Sequence, residues 1–234
     1  MSVSKRSFRM LGLLLAGSAF AIVIGIGAAG AQQGPNCPNP NVIQGTAGPD
    51  VILGTPGNDL INGRGGNDVI DGLGGDDCVR GGPGMDTVQG GEGNDKVQGG
   101  AGNDTVDGGT LGCCQTGDDK VYGGPGADVV FGSDFGTTNR LDGGPGNDVI
   151  QGFAPNDTAY GRSGQDQVFG FSGDDFLSGG QGSDIVGKAD DTGNDVLWGG
   201  QGEDALDGGP GLDTLDGGGQ TDVCINGEVV RRCP

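Results

Sequence analysis

The sequence predicts an all-β protein, a solenoid of two parallel sheets, on three observations. A nine-residue pattern, GGxGxDxUx with U a large apolar residue, recurs from Gly45 to Ile225. The eighth position of that pattern is apolar in every unit, through three insertions. The 234 residues include 57 Gly and 11 Pro with few aromatics, too little apolar side chain for a conventional globular core. A fixed period moves such a composition from the disordered class to the repeat class, where stacked neighbours bury what one unit cannot.

The unit at 99–107, GGAGNDTVD, shows how the work is divided. Gly99 to Asn103 is turn chemistry, Asp104 closes the turn with a carboxylate, and Thr105-Val106-Asp107 is a very short strand. Side chains alternate across a strand, so Val106 points inward and its two neighbours point to solvent. One unit buries one side chain and must stack. Nineteen units begin at 45, 54, 63, 72, 81, 90, 99, 108, 123, 132, 143, 152, 161, 170, 179, 188, 199, 208 and 217. Three are longer, 108–122 by six residues and 132–142 and 188–198 by two each. The inward position runs from Ile52 in the first unit to Cys224 in the last, and two units make one coil of eighteen residues.

Flanking segments complete the organisation. Lys5, Arg6 and Arg9, an uncharged run from Met10 to Ala28 and the small residues Ala29-Gly30-Ala31 have the form of a secretory signal peptide over 1–31, cleaved after Ala31. The alternative is a membrane anchor formed by the uncleaved segment, because the apolar run is long enough to span a bilayer. Residues 32–44 form a Pro- and Asn-rich lead-in or cap whose Val42-Ile43-Gln44 is a first strand, and 226–234 form a C-terminal cap.

Charge and composition exclude several functions. The formal charge is −20, and removing 1–31 leaves nine basic against 32 acidic residues, or −23. Nucleic acid and, once the leader is gone, an anionic membrane would be repelled. The chain has no histidine, which excludes a Ser-His-Asp or Cys-His catalytic group and the two-histidine zinc motif. Paired-carboxylate catalysis would need a concave site, and the repeat already accounts for the acids. The chain is therefore read as a non-enzyme.

The acids sit in register. Asp occupies the sixth position in eighteen of nineteen units. Units on one edge lie one coil apart, so Asp50, Asp68 and Asp86 form one ladder and Asp59, Asp77 and Asp95 the other. Bare carboxylates about 5 Å apart repel by roughly 3 kcal/mol per neighbouring pair at an effective dielectric of 20. Carboxylate and backbone carbonyl oxygens, with no imidazole, favour a hard cation, and many ligands on pliant loops favour calcium over magnesium.

These units resemble the repeats-in-toxin (RTX), or haemolysin-type, calcium-binding nonapeptide repeats over residues 45–225. The resemblance implies a parallel β-roll, a right-handed two-sheet solenoid. It also implies multiple calcium ions between the loops of consecutive coils, and order that depends on calcium. Carried over, the metal ligands are Asp50, Asp59, Asp68, Asp77, Asp86, Asp95, Asp104, Asp119, Asp128, Asp148, Asp157, Asp166, Asp175, Asp184, Asp195, Asp204, Asp213 and Asp222, with backbone carbonyls. Asn139 replaces the sixth-position Asp in the unit at 132, while Pro155 and Gln220 replace the fourth-position Gly in two others. The catalytic and pore-forming activities of the family's large toxins and proteases do not transfer.

The three insertions and Pro155 all fall in even-numbered units, so a continuous calcium row is expected on the odd edge and a patchy one opposite. Ten odd loops and nine even loops leave nine and eight gaps, a ceiling of seventeen sites. Ninth-position aromatics occur at Tyr122, Tyr160 and Trp198 on one sheet and at Phe131 and Phe169 on the other. Isolated surface rings are the expected reading, with a sugar- or partner-binding strip as the alternative.

Six cysteines in an exported chain imply disulfides. Cys224 and Cys233 flank a hairpin-like Asn226-Gly227 turn and are expected to pair. Cys37 can reach Cys78, and the partners of Cys113 and Cys114 stay open. The expected function is a secreted calcium-binding protein with a structural or surface-interaction role. The alternative is a calcium-dependent adhesin or glycan-binding module with a cell-surface partner. The oligomeric state is left open. Ice binding would need an outward Thr ladder, and only Thr46 and Thr55 hold the second position.

Overall fold

Alternating burial along strands of three to six residues gives each unit one inward side chain, and the computed structural model stacks these strands as the period requires. It describes residues 40–109, 117–132, 138–153, 156–188 and 191–233, together with the backbone of 21–24. Twenty-two strands among these residues form two eleven-stranded sheets. Successive strands alternate between the sheets, and each pairs in parallel with the strands two before and two after it. The protein is a β-roll, and none of the described residues is helical. It follows that no helix among them is long and apolar enough to cross a membrane.

Register survives the insertions. Val97, Val121 and Leu141 are directly paired in one sheet although 24 and 20 residues separate them. The inward position therefore keeps its row on either side of the lengthened units. The core is that row doubled: Ile43 at 3 % exposure, then Ile52 through Leu215, each at 2 % or less. Cys224 ends it, only partly buried.

Both ends of the stack extend beyond the repeats. Asn41–Gln44 pairs with Asp59–Asn62 in one sheet. Ala21–Ile24, within the apolar run read as a leader, pairs with Asp50–Leu53 at the edge of the other. At the C-terminus, Val223–Ile225 lies in one sheet and Val229–Arg231 in the other. The Asn226-Gly227 turn between them is thus a corner of the coil, which corrects the expected hairpin. In a parallel roll the next strand belongs to the opposite sheet, so an Asn-Gly pair turns the chain without folding it back on itself. The Cys224–Cys233 disulfide is present. Arg232 grips Asp216 through both carboxylate oxygens at 2.6 and 2.5 Å. Cys78 is also disulfide-bonded, while Cys37, Cys113, Cys114 and Pro155 lie outside the described residues.

Candidate metal centre

The sixth-position carboxylates line both edges of the roll. Each lies where a turn enters a strand, and all eighteen are 3 % exposed or less. Their backbone amides build the ladder: the N–H of Asp104 donates to Oδ1 of Asp128, one coil on, at 2.8 Å. On the odd edge nine such bonds of 2.8–3.0 Å run without a break from Asp50 to Asp222. The even edge continues the same way until Asp119, whose amide reaches Asn139 Oδ1 at a longer 3.3 Å. Because that bond fixes Oδ1, the Nδ2 of Asn139 takes the place, beside Gly132, that Oδ2 holds in the other units. A donor stands there in place of an acceptor. At the last even loop Glu228 Oε2 accepts from the Asp213 amide at 2.6 Å, substituting for the next Asp.

The second carboxylate oxygen is left over from this ladder. Oδ2 is buried with no hydrogen-bond partner in Asp68, Asp77, Asp86, Asp95, Asp104, Asp128, Asp148, Asp157, Asp166, Asp175, Asp184, Asp195, Asp204, Asp213 and Asp222. Buried polar atoms in proteins are almost always paired, and an unpaired charged one is among the costliest groups to bury. Backbone oxygen converges on the same space. A methyl group added to Gly99 would lie 2.6 Å from Asp104 Oδ2 and 2.8 Å from the Gly123 carbonyl oxygen of the next coil. Gly102, at φ +132°, packs so closely that a Cβ would strike the Gly84 carbonyl oxygen. These two glycines therefore keep open an oxygen-lined cradle that any larger residue would fill. The donor set fits calcium on this geometry: anionic and carbonyl oxygens only, stacked between coils.

Burial also shows in protonation. Loss of water is the main cause that raises Asp77 to about 9 and Asp95, Asp148, Asp157, Asp175 and Asp195 to about 7. It raises Asp68, Asp86, Asp104, Asp128, Asp166, Asp184 and Asp204 to about 6. The amide bond to Oδ1 offsets part of each rise, and for most of them a neighbouring carboxylate adds to it. At neutrality the carboxyls raised to about 7 or 9 keep much of their proton, and those at about 6 release most of it.

The two terminal loops differ. Asp50 Oδ2 accepts from the Thr46 amide and Asp59 Oδ2 from the Thr55 amide, both at 2.5 Å. The threonines thus satisfy the first carboxylate of each edge.

Three features escaped sequence reasoning. Fifth-position Asn and Asp side chains form a second, exposed ladder, as where Asn94 donates to Asp76 and Asp118 donates to Asn94. This ladder runs opposite to the inner one, because the following coil is the donor. The aromatics are linked, which corrects the expectation of isolated rings: Phe176 bridges Tyr160 and Trp198 at 5.8 and 5.9 Å. Phe153 likewise stands 6.1 Å from Phe131 and stacks on Phe171 at 5.4 Å. The bridging rings occupy seventh and second positions, outside the ninth-position series. Finally, Asp191, at the second position of the lengthened unit 188–198, is 1 % exposed and lies beside the ladder residues Asp175 and Asp195.

Comparison with known families gives an independent result. The family described as the RTX calcium-binding nonapeptide repeat matches residues 41–79, 80–110, 115–136, 134–167, 156–186 and 190–224. No curated protein matches the chain at a significant level.

Proposed function

The chain belongs to the RTX calcium-binding nonapeptide repeat family, and on that footing we propose that it is exported and folds around a row of calcium ions on each edge. The cofactor is calcium, in multiple copies, and the eighteen sixth-position aspartates are its proposed side-chain ligands. The observation that carries this reading is the set of fifteen buried, unpartnered Oδ2 atoms. When bound, calcium supplies the positive charge and the coil-to-coil cross-link that the thin core does not. The chain's own residues set the positions: the amide ladder holds Oδ1, and the first-position glycine leaves the cradle open.

The role is structural or surface-interacting, without catalysis. Removal of 1–31 would take away the strand Ala21–Ile24 and leave Asp50–Thr55 as the edge strand of its sheet. Thr46 then caps Asp50 without help from the removed segment. On the odd edge the ladder favours continuous occupancy, and on the even edge Asn139 interrupts it. Counting bound calcium on the mature chain by native mass spectrometry tests the assignment. The expected count is many ions, up to fifteen, the ceiling of seventeen less the two even-edge gaps that flank Asn139. A count of one or two would overturn it.

A second reading, a calcium-dependent adhesin or glycan-binding module, is favoured by the linked strip Tyr160–Phe176–Trp198. Arg140 and Arg162 lie over Tyr160 at 4.8 and 4.7 Å, so the strip offers flat apolar faces beside cations. Glycan and cell-surface binding by wild type and Trp198→Ala, in calcium, tests it. Equal binding by the two would discard the strip.

A further inference from the structure

The unit at 188–198 carries two residues more than the repeat, and counted back from Asp195 at the sixth position Asp191 holds the second, where no other unit has an acid. The fold nevertheless buries it on the even edge. Carboxylate oxygens of Asp175, Asp191 and Asp195 all lie within 4.8 Å of one another, with the three residues 2 % exposed or less.

In each of the three, a backbone amide holds one oxygen and the other has no partner. Asp157 donates to Asp175 Oδ1 at 2.7 Å, Asp175 to Asp195 Oδ1 at 2.8 Å, and Gly170 to Asp191 Oδ2 at 3.3 Å. Left over are Asp175 Oδ2, Asp195 Oδ2 and Asp191 Oδ1, all buried and unpaired. The Asp191 amide donates to the Lys188 carbonyl at 2.8 Å. Asp191 thus adds a third carboxylate beside the ladder residues Asp175 and Asp195.

We propose that Asp191 completes a divalent-cation site, Asp175–Asp191–Asp195, which takes calcium more tightly than the repeat gaps around it. Three fixed carboxylates supply one more negative charge than a repeat gap, and calcium affinity in oxygen sites rises with the count of charged ligands. The absence of nitrogen or sulfur among the three keeps the preference for hard cations. A trivalent lanthanide matches the three charges and serves as the probe. The proposal rests on the calcium reading of the roll only for the identity of the natural ion.

The chain's single tryptophan, Trp198, stands three residues along the strand from Asp195 and can sensitise terbium luminescence at this site. Terbium titration of the full chain, excited through tryptophan, compares wild type with Asp191→Asn and with the exposed control Glu203→Gln. Circular dichroism in millimolar calcium verifies that each variant forms the roll. The expected result is an early, tight luminescent step in wild type and Glu203→Gln, weakened roughly tenfold or more in Asp191→Asn. Native mass spectrometry at limiting calcium should show the last retained ion lost from Asp191→Asn alone. An unchanged first step and an unchanged retained ion in Asp191→Asn would overturn the site. A wild-type roll that gains no order with calcium, yet keeps an Asp191-dependent terbium step, would instead overturn the broader reading and leave this site standing.

Discussion

Asp104 and Asp128 stand one coil apart, and the amide of the first donates to Oδ1 of the second at 2.8 Å while Oδ2 of each stays buried and unpartnered. One bond fixes the carboxylate and leaves it half satisfied. Repeated along both edges, this relationship underlies the proposal that the roll depends on a cation, and the following outcomes are expected from it.

Asn139→Asp restores the missing carboxylate on the even edge. The variant should bind at least one more calcium than wild type and be more stable in calcium, by roughly 1–3 kcal/mol, the usual scale for a hydrogen-bonded charged group. In chelator it should be less stable, since another buried carboxylate joins the ladder. Native mass spectrometry and thermal melts in both conditions measure this. A gain in chelator would show that the ladder does not repel itself.

Gly99→Ala places a methyl group against Asp104 Oδ2 and the Gly123 carbonyl oxygen. The calcium midpoint should rise and the melting temperature fall, whereas alanine at Gly57, where added carbon meets nothing within 4 Å, should change neither. Calcium titration by calorimetry on both variants separates a filled cradle from a general intolerance of substitution.

Acid should act as a poor substitute for calcium. Without metal, burial raises twelve of the ladder carboxyls to about 6 or 7, and Asp77 to about 9, above the ordinary value near 4 of the unfolded chain. The folded state then holds protons that the unfolded state has released. This contribution to stability is fully present below about pH 4 and is lost as pH rises through 6 to 9. The metal-free chain should therefore show more β-structure at pH 5 than at pH 8. Calcium affinity should change in the opposite sense, strengthening as pH rises and protons no longer compete. Circular dichroism in chelator and calcium titrations at both values read the two signs.

Much of this was legible in the sequence because the period carries two registers at once. The apolar eighth position placed Ile52 through Leu215 in the core, and the Asp register placed the ladders on the edges. What escaped reading lies where the period says nothing. Asp191 stands at the second position, which carries no acid in any other unit, so the pattern does not predict a buried carboxylate there. The fifth-position ladder, Asn94 to Asp76 among others, consists of residues that ordinary turn propensity already explains. Phe176 and Phe153 join the aromatics from seventh and second positions, and only the stacking distance of the coils brings them to the ninth-position rings. Ala21–Ile24 reads equally as leader and as strand, because an apolar run serves the first and its β-branched residues suit the second.

Ile150→Ala should destabilise the calcium-bound roll by about 2–5 kcal/mol, as for a fully buried aliphatic residue. It should leave the bound calcium count unchanged at saturating ion. Thermal melts with parallel mass spectrometry distinguish this from a ligand variant, which would lower both.

Far-ultraviolet circular dichroism of the mature chain, in chelator and during calcium titration at pH 8, tests the central claim most directly. The calcium-clamped ladder predicts a largely unordered spectrum in chelator and a cooperative rise of β-signal as calcium is added. A chain with the same β-signal in chelator as in calcium would contradict it.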